Sequence, residues 1–185
     1  MLEQYTVAEF VRDLQRITGH ETDPEIITAN VRPLAERLAG SPEIRERNWK
    51  EPDPEQGFGF ELLHEEIDHT LVVAILTWLP GRVTPPHDHG TWGVIAGVEG
   101  EEINTFWQRK DDGSQLGYAE VEKELEIKLT PGKSLTLMPR SIHSIENRSD
   151  RVNVSLHTYG MHTNHTERSQ FDIERKTASS WKIKE

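Results

Sequence analysis

Closely spaced histidines are the first residues in this chain that could do chemistry. His87 and His89 stand two positions apart, and His143 lies further along, in the segment 139–147. Because residues i and i+2 of an extended strand point to the same face, the rings of His87 and His89 can converge on one point. By itself the pair fits metal ligands and ordinary surface histidines equally well. We refer to His87, His89 and His143 as the three-histidine group.

The absence of cysteine limits the chemistry of such a site. The sequence contains no cysteine at all, which excludes disulfides, thiolate metal ligands and a cysteine nucleophile. A metal site would therefore have to use histidine and carboxylate ligands.

A second polar pattern follows in the segment 154–160. Ser155, His157 and Tyr159 occupy positions i, i+2 and i+4, so a strand would place all three on one face. A hydroxyl, an imidazole and a phenol in a row can form a hydrogen-bond relay, which we call the Ser-His-Tyr chain. The alternative is a half-buried strand whose polar face meets solvent.

The surroundings of the histidines resemble the two sequence motifs of the cupin family. Gly81 precedes the H-x-H pair, Gly100 follows it, and His143 stands four residues before Asn147. The resemblance implies a mainly β fold, the cupin double-stranded β-helix or jelly-roll barrel, over residues 58–160. The second motif departs from the family pattern, because its usual glycine is a serine here and the histidine comes one residue early.

A glutamate that most cupins carry after the H-x-H pair is missing. Its expected positions are Gly93 and Val94, so the site would consist of three neutral imidazoles. A divalent metal on such ligands keeps its full charge and favours an anionic incoming ligand such as a thiolate. Zinc is the competing metal, since three histidines and a water molecule also form a hydrolytic zinc site.

Together these motifs resemble the cysteine dioxygenase type I family of cupin thiol dioxygenases. The bacterial 3-mercaptopropionate dioxygenase branch is the most similar, through the H-D-H-x-x-W-G segment at 87–93. The resemblance implies that the three-histidine group binds iron(II), Fe(2+), as cofactor, with thiolate and dioxygen in adjacent positions. It also implies that the Ser-His-Tyr chain is catalytic and supports oxygen transfer to sulfur. The tyrosine–cysteine link of the mammalian branch is excluded here because there is no cysteine.

Recognition of the substrate departs from the family. The family binds the substrate carboxylate with an Arg or Gln on a strand upstream of the H-x-H pair, and the segment 58–64 has neither. Arg168 lies in a stretch, 167–172, that is similar to a C-terminal Arg-containing segment of the 3-mercaptopropionate branch. We therefore predict that Arg168 binds the substrate. The alternative is a solvated arginine on a polar tail.

The expected function is oxidation of a small thiol, 3-mercaptopropionate or a cysteine-like molecule, to a sulfinic acid with O2. A cupin zinc or manganese hydrolase or isomerase is one alternative. A non-catalytic cupin that binds a small ligand is another. The sequence does not identify the thiol or the oligomeric state, and a monomer is compatible with it.

Charge and hydropathy limit the partners and the compartment. The formal net charge is −11, which would repel a phosphate backbone, so nucleic acid is not an expected partner. No stretch is apolar enough for a membrane span, and the first residues lack the features of a signal peptide. A cytoplasmic protein without membrane contact is the expectation.

The elements that must position these residues fall into two regions of one predicted domain, 1–185. Residues 1–50 have helical periodicity: Thr6 and Glu9 form a capping box, and a second helix begins at Asp23-Pro24 and is bent or restarted at Pro33. From 58 to 160 short apolar runs alternate with turns rich in proline and glycine, which is typical of an antiparallel barrel. The predicted strands are 71–79, 93–97, 103–109, 118–129, 134–138 and 152–159. Residues 161–185 are predicted to wrap the barrel.

Overall fold

A computed structural model of the protein describes residues 5–183, and its N-terminal part is helical. The helices are α1 (Val7–Thr18), α2 (Pro24–Ala39) and the short α3 (Pro42–Arg45). The predicted capping box is present at the start of α1, where the Thr6 side chain accepts from the backbone of Glu9 and the Glu9 side chain accepts from the backbone of Thr6. No helix in residues 5–183 has both the length and the apolar character needed to cross a membrane.

Helix α2 continues through Pro33, so the predicted restart at this residue does not occur. Proline removes one backbone hydrogen bond from a helix interior. Val31 and Ala35 are fully buried in the core that the helices share with the barrel. This packing offsets the lost bond, because most helical stability in a protein comes from the buried face.

Ten strands follow within the described residues, and their pairing is antiparallel throughout. They are β1 (Phe58–His64), β2 (Thr70–Trp78), β3 (Gly93–Glu99), β4 (Glu102–Arg109), β5 (Val121–Leu129), β6 (Ser134–Leu137), β7 (Ile142–Glu146), β8 (Asn153–Met161), β9 (Ser169–Asp172) and β10 (Thr177–Ser180). One sheet has the order β1-β2-β8-β3-β6, a second has the order β5-β4-β7, and β9 pairs with β10 in a hairpin. A single-turn helix, Thr163–His165, connects β8 to this hairpin.

The two larger sheets pack face to face. Ile145 of β7 lies in one apolar cluster with Phe60 and Trp78 of the other sheet. Leu129 of β5 lies in another with Ile95 of β3. Strands distant in sequence, such as β2, β3 and β8, are neighbours in space, as a jelly roll requires. The predicted mainly β fold, a cupin-type jelly-roll barrel with an N-terminal helical segment, is confirmed.

Strand β8 is buried on both of its faces. Val154 and Leu156 point to the core shared with the helices, while Ser155 and His157, each 1% exposed, lie on the opposite face. That face is covered by the second sheet and does not meet solvent. The alternation read from the sequence is therefore correct, and burial by the second sheet turns a polar strand face into the lining of the barrel interior.

Two local expectations differ from the structure. His143 lies on β7, a strand that the apolar runs did not predict because its five residues include three polar ones. His87 and His89 lie on an extended segment between β2 and β3, outside any named strand. Isolated bridges pair His87 with His143 and with Gln170 of β9, so the segment is held by neighbours on both sides.

Candidate metal centre

The three-histidine group comes together inside the barrel. The backbone N–H of His87 donates to the carbonyl of His143 at 2.8 Å, and that of His143 donates back to His87 at 2.9 Å. The three side chains each offer a nitrogen, and these nitrogens lie within 4.8 Å of one another. Within the described residues, no carboxylate belongs to this group.

Hydrogen bonds at Nδ1 of His87 and of His143 determine which ring nitrogen carries the proton. His87 Nδ1 is 2.9 Å from the carbonyl oxygen of Pro85, and His143 Nδ1 is 2.9 Å from Asn104 Oδ1. Each Nδ1 faces an oxygen and must therefore carry the proton. The bare Nε2 of each ring is left free to bind a metal, an arrangement common in metal sites.

The protonation and the unpaired atoms of the group fit a divalent metal ion. Burial lowers the pKa of His87 and His89 well below the usual range, and lowers that of His143 to about 3. The imidazoles are therefore neutral at physiological pH, as metal ligands must be. His143 Nε2 and His89 Nδ1 are buried without a hydrogen-bond partner in the described structure. Such orphaned polar atoms are costly, and coordination would satisfy His143 Nε2 directly.

The place of the missing cupin glutamate is occupied by a tyrosine ring. A Cβ atom at Gly93 would lie 2.9 Å from Cδ1 of Tyr159, so no side chain fits there unless the tyrosine moves. The Tyr159 ring stacks on His89, with 5.1 Å between the ring centroids. With glycine at this position the carboxylate side chain is absent, and the Tyr159 ring lies beside the three-histidine group.

The Ser-His-Tyr chain is formed as the sequence predicts. His157 Nδ1 is 2.8 Å from the Tyr159 hydroxyl, and His157 Nε2 is 2.9 Å from Ser155 Oγ. Burial, with a smaller contribution from His143, lowers the pKa of His157 to about 3. Burial raises the pKa of Tyr159, so its phenol is protonated at neutral pH.

Asn104 and Glu102, which the sequence analysis did not assign to the site, connect the three-histidine group to the Ser-His-Tyr chain. Asn104 Oδ1 accepts from His143, and Asn104 Nδ2 donates to Glu102 Oε1 at 2.8 Å. Ser155 Oγ lies 2.8 Å from Glu102 Oε2. The Glu102-x-Asn104 alternation on β4 was the available signal, because two polar residues of a strand that share a face can both point into a barrel.

Arg168 is buried and lines the same pocket. Only 4% of the residue is exposed; Nε donates to the carbonyl oxygen of Asp88 at 3.3 Å, and the guanidinium lies 4.3 Å from the ring centroid of Trp181. Burial lowers the pKa of Arg168 to about 10, so the group remains charged at neutral pH. The alternative of a solvated arginine on a polar tail is therefore wrong.

The pocket beside the histidines is narrow and mostly apolar. Its free volume is about 30 Å³, room for roughly two water molecules. Its polar lining residues are His87, His89, His157, Tyr159, Thr163 and Arg168. The C-terminal residues Trp181 and Ile183 cover it, and the Trp181 ring lies 4.5 Å from that of His87. Bulk water is therefore largely excluded.

A second group with ligand-type side chains lies outside the barrel. Glu65, His69 and His165 bring their polar atoms within 4.8 Å of one another. The two rings are stacked at 3.6 Å with an angle of 11° between them. Parallel rings direct their lone pairs into separate planes, so they cannot both point at one ion without rotating. The buried three-histidine group has the better geometry for a metal.

Known proteins are similar to this chain at low sequence identity, and no known protein-family model matches it. Oxalate oxidase in complex with a substrate analogue, glycolate, is 13% identical with a TM-score of 0.47; the match covers 60% of this chain and 55% of that one. The chain thus spans about half the length of that enzyme's chain. An RmlC-like cupin from Desulfovibrio desulfuricans is 22% identical with a TM-score of 0.44, covering 61% of this chain and 90% of its own. A protein with a double-stranded β-helix domain from Klebsiella pneumoniae is 13% identical with a TM-score of 0.48, covering 66% and 85%. None of the three is named as a thiol dioxygenase.

We expect His143→Ala to abolish metal binding, because it removes the ligand whose Nε2 has no other partner. Elemental analysis of the purified protein should give about one metal ion per wild-type chain and close to none in the variant. His20→Ala, which removes an exposed histidine after α1, is the matched control. Circular dichroism verifies that the variant is folded, and a folded variant that retains its metal would refute the site.

Proposed function

We propose that the protein is a thiol dioxygenase that uses iron(II) held by His87, His89 and His143. The reaction converts a thiol and one O2 into a sulfinic acid. Both oxygen atoms end on sulfur, which loses four electrons while dioxygen gains four, so no further reductant is needed. Iron(II), when bound, supplies the one-electron chemistry that lets dioxygen react with a thiolate.

The observation that carries this proposal is that three different groups open onto one pocket. The neutral imidazoles of His87 and His89, the phenol residue Tyr159 and the cationic Arg168 all line it. The first group suits a metal with an undiminished positive charge, the second a proton transfer, and the third an anion. A small thiol that carries a carboxylate would engage all three.

The charge of the ligand set favours a thiolate as the incoming ligand. The three imidazoles are neutral, and within the described residues no carboxylate joins them, so a divalent ion would keep its charge of +2. An anion entering this low-dielectric pocket is attracted more strongly than it would be in water. The positive Arg168 adds to the same field, and it lowers the pKa of the histidines further.

Arg168 binds and orients the substrate carboxylate in this proposal. Its Nε is engaged with the backbone, and within residues 5–183 its two terminal nitrogens form no hydrogen bond with another residue. Trp181 holds the plane of the guanidinium by a cation–π contact. A preorganised planar donor pair can bind a carboxylate through two parallel hydrogen bonds. The substrate class is therefore a short thiol acid, such as 3-mercaptopropionate or a cysteine-like molecule.

In this proposal, the Ser-His-Tyr chain transfers a proton to and from the pocket. Tyr159 lines the pocket, and its hydroxyl contacts His157. It can take a proton from the thiol or return one, while His157 Nδ1 exchanges the proton behind it. Trp181, Ile183 and Phe60 exclude water from this exchange.

The cytoplasm is the proposed compartment, and a small thiol and O2 are the proposed partners.

The decisive experiment measures the metal content and the thiol-dependent oxygen consumption of one preparation. Bound iron and uptake of one O2 per thiol, with a sulfinic acid as the product by mass spectrometry, are the expected results. Bound zinc or manganese without oxygen uptake would favour the hydrolase or isomerase instead. Neither a metal nor uptake would favour a ligand-binding cupin.

Replacing Arg168 tests the substrate class. Arg168→Ala should raise the apparent KM for carboxylated thiols. The corresponding loss of binding free energy is roughly 2–5 kcal/mol, the cost of truncating one partner of a buried charge pair. Thiols without a carboxylate, such as cysteamine, should be nearly unaffected. Arg175→Ala, which removes a largely exposed arginine of the same tail, is the control. An equal loss for both kinds of thiol would show that Arg168 does not bind the carboxylate.

Tyr159→Phe tests the proton function without removing the ring that stacks on His89. Metal content should stay at the wild-type level, and kcat should fall by roughly 10²-fold or more, as for loss of a proton-transfer group. Tyr118→Phe, at a tyrosine outside the pocket, should leave kcat unchanged. An unaltered rate in Tyr159→Phe would mean that the Ser-His-Tyr chain only packs the barrel.

A further inference from the structure

Glu102 is a buried carboxylate for which the reaction described above has no role. It is 3% exposed at the start of β4, and burial raises its pKa. Among residues 5–183 no lysine, arginine or histidine forms an ion pair or a hydrogen bond with it. Its two oxygens instead contact Asn104, on its own strand, and Ser155, on β8. A buried carboxylate without a cation is costly to keep unless it serves a purpose.

Hydrogen-bond rules determine which oxygen of Glu102 can carry a proton. His143 needs its proton on Nδ1 to keep Nε2 bare, so the atom of Asn104 that faces it must be the oxygen. The amide nitrogen of Asn104 then faces Glu102 Oε1 and donates to it at 2.8 Å. Oε1 is thus an acceptor in every state. A proton on Glu102 must sit on Oε2, the atom that faces Ser155.

The state of Oε2 determines the orientation of the hydroxyl of Ser155. Ser155 Oγ has three partners: Trp78 Nε1 at 3.2 Å, Glu102 Oε2 at 2.8 Å and His157 Nε2 at 2.9 Å. The indole can only donate. When Glu102 is ionised, Ser155 donates to it and accepts from His157 Nε2–H. When Glu102 is protonated, Ser155 accepts from Oε2–H and donates to a bare His157 Nε2.

The orientation of the Ser155 hydroxyl determines the tautomer of His157 and, through it, the orientation of the Tyr159 hydroxyl. With Nε2 protonated, a neutral His157 has a bare Nδ1, which accepts the hydroxyl proton of Tyr159 at 2.8 Å. With Nε2 bare, Nδ1–H donates to the tyrosine oxygen, and the hydroxyl proton of Tyr159 is free to point into the pocket. The two arrangements differ by one proton, located on Glu102.

We propose that Glu102 is a positioning residue whose protonation sets the direction of every hydrogen bond in the Ser-His-Tyr chain. It thereby determines whether Tyr159 offers its proton or an oxygen lone pair to the pocket. A proton accepted by Tyr159 from the pocket ends on Glu102 Oε2, while Tyr159, His157 and Ser155 each give up one proton and take up another. The reverse sequence returns that proton to the pocket.

Few other titratable groups act on Glu102. From β8 the facing groups are His157 and Tyr159, which belong to the chain itself, and from β7 His143 is reached only through Asn104. From β5 the register partner is the apolar Leu129, and from β2 the facing group is the indole of Trp78. A switch in the His157 tautomer with pH is therefore assigned to Glu102.

The test reads the tautomer of His157 directly and needs neither iron nor substrate. Two-bond ¹⁵N–¹H correlation spectra of the metal-free and zinc-loaded full chain distinguish a protonated ring nitrogen from a bare one. In the wild type we expect Nδ1–H at low pH and Nε2–H at high pH, with the change above the usual titration range of a glutamate because burial raises the pKa of Glu102. A wild-type protein in which the tautomer never changes would overturn the proposal.

Glu102→Gln imitates the protonated state. Its amide oxygen can accept from Asn104 while its NH2 donates to Ser155, so we expect the Nδ1–H tautomer at every pH. Glu101→Gln, at the exposed neighbouring glutamate, should titrate like the wild type. A folded Glu102→Gln protein that still switches to Nε2–H would refute the role of Glu102. If the variant does not fold, the wild-type titration alone decides.

Oxygen uptake provides a second measurement, which rests on the proposed function. The pH profile of kcat in Glu102→Gln should lose the limb that accompanies the tautomer switch in the wild type, with little change in KM. A wild-type protein that oxidises no thiol but shows the switch would refute the dioxygenase proposal and leave this one standing. A switch absent from an active dioxygenase would refute this proposal alone.

Discussion

The hydrogen bond between His143 Nδ1 and Asn104 Oδ1, 2.9 Å long, joins a member of the three-histidine group on β7 to the neighbouring strand β4. It holds the proton of His143 on the outer nitrogen and leaves the inner nitrogen bare. It also turns the amide of Asn104 so that its NH2 faces Glu102. One contact between neighbouring strands thus orients the imidazole of His143 on one side and the carboxylate of Glu102 on the other. The register that pairs Asn104 with Ile145 and Phe106 with His143 keeps it in place.

The site combines groups that are costly to bury with a barrel that makes burial possible. Imidazoles, a phenol, a carboxylate and a guanidinium all lie between the sheets, and nearly every one has a hydrogen-bond partner. Sheet-on-sheet packing of apolar clusters on either side compensates for their desolvation. Among the described residues, six buried side-chain atoms have no hydrogen-bond partner, and two of them, His89 Nδ1 and His143 Nε2, belong to the three-histidine group. A metal ion bound there would satisfy His143 Nε2.

Local sequence spacing was enough to predict the parts of the site that lie on one strand or one short segment. The H-x-H pair and the Ser-His-Tyr chain depend only on the alternation of an extended backbone, and both arrangements are present. Glu102 and Asn104 were not predicted as site residues because their roles arise from contacts between strands: Glu102 and Ser155 are 53 positions apart. Arg168 was predicted as a site residue only through the family resemblance, because its polar surroundings in sequence left a solvated arginine open. Its burial involves a contact with Trp181, which is distant from it in sequence.

The segment that ends in Trp181 and Ile183 has a thermodynamic consequence for any ligand. Trp181 and Ile183 line the pocket, so a ligand larger than its free volume of about 30 Å³ binds only when these residues move aside. Paired hydrogen bonds between Ile183 and Asn164 oppose that movement. The measured dissociation constant is then the intrinsic one divided by the fraction of molecules that are open. A substitution of Asn164 that removes these two hydrogen bonds would change the apparent affinity for every substrate alike, while the contacts of the bound substrate remained the same.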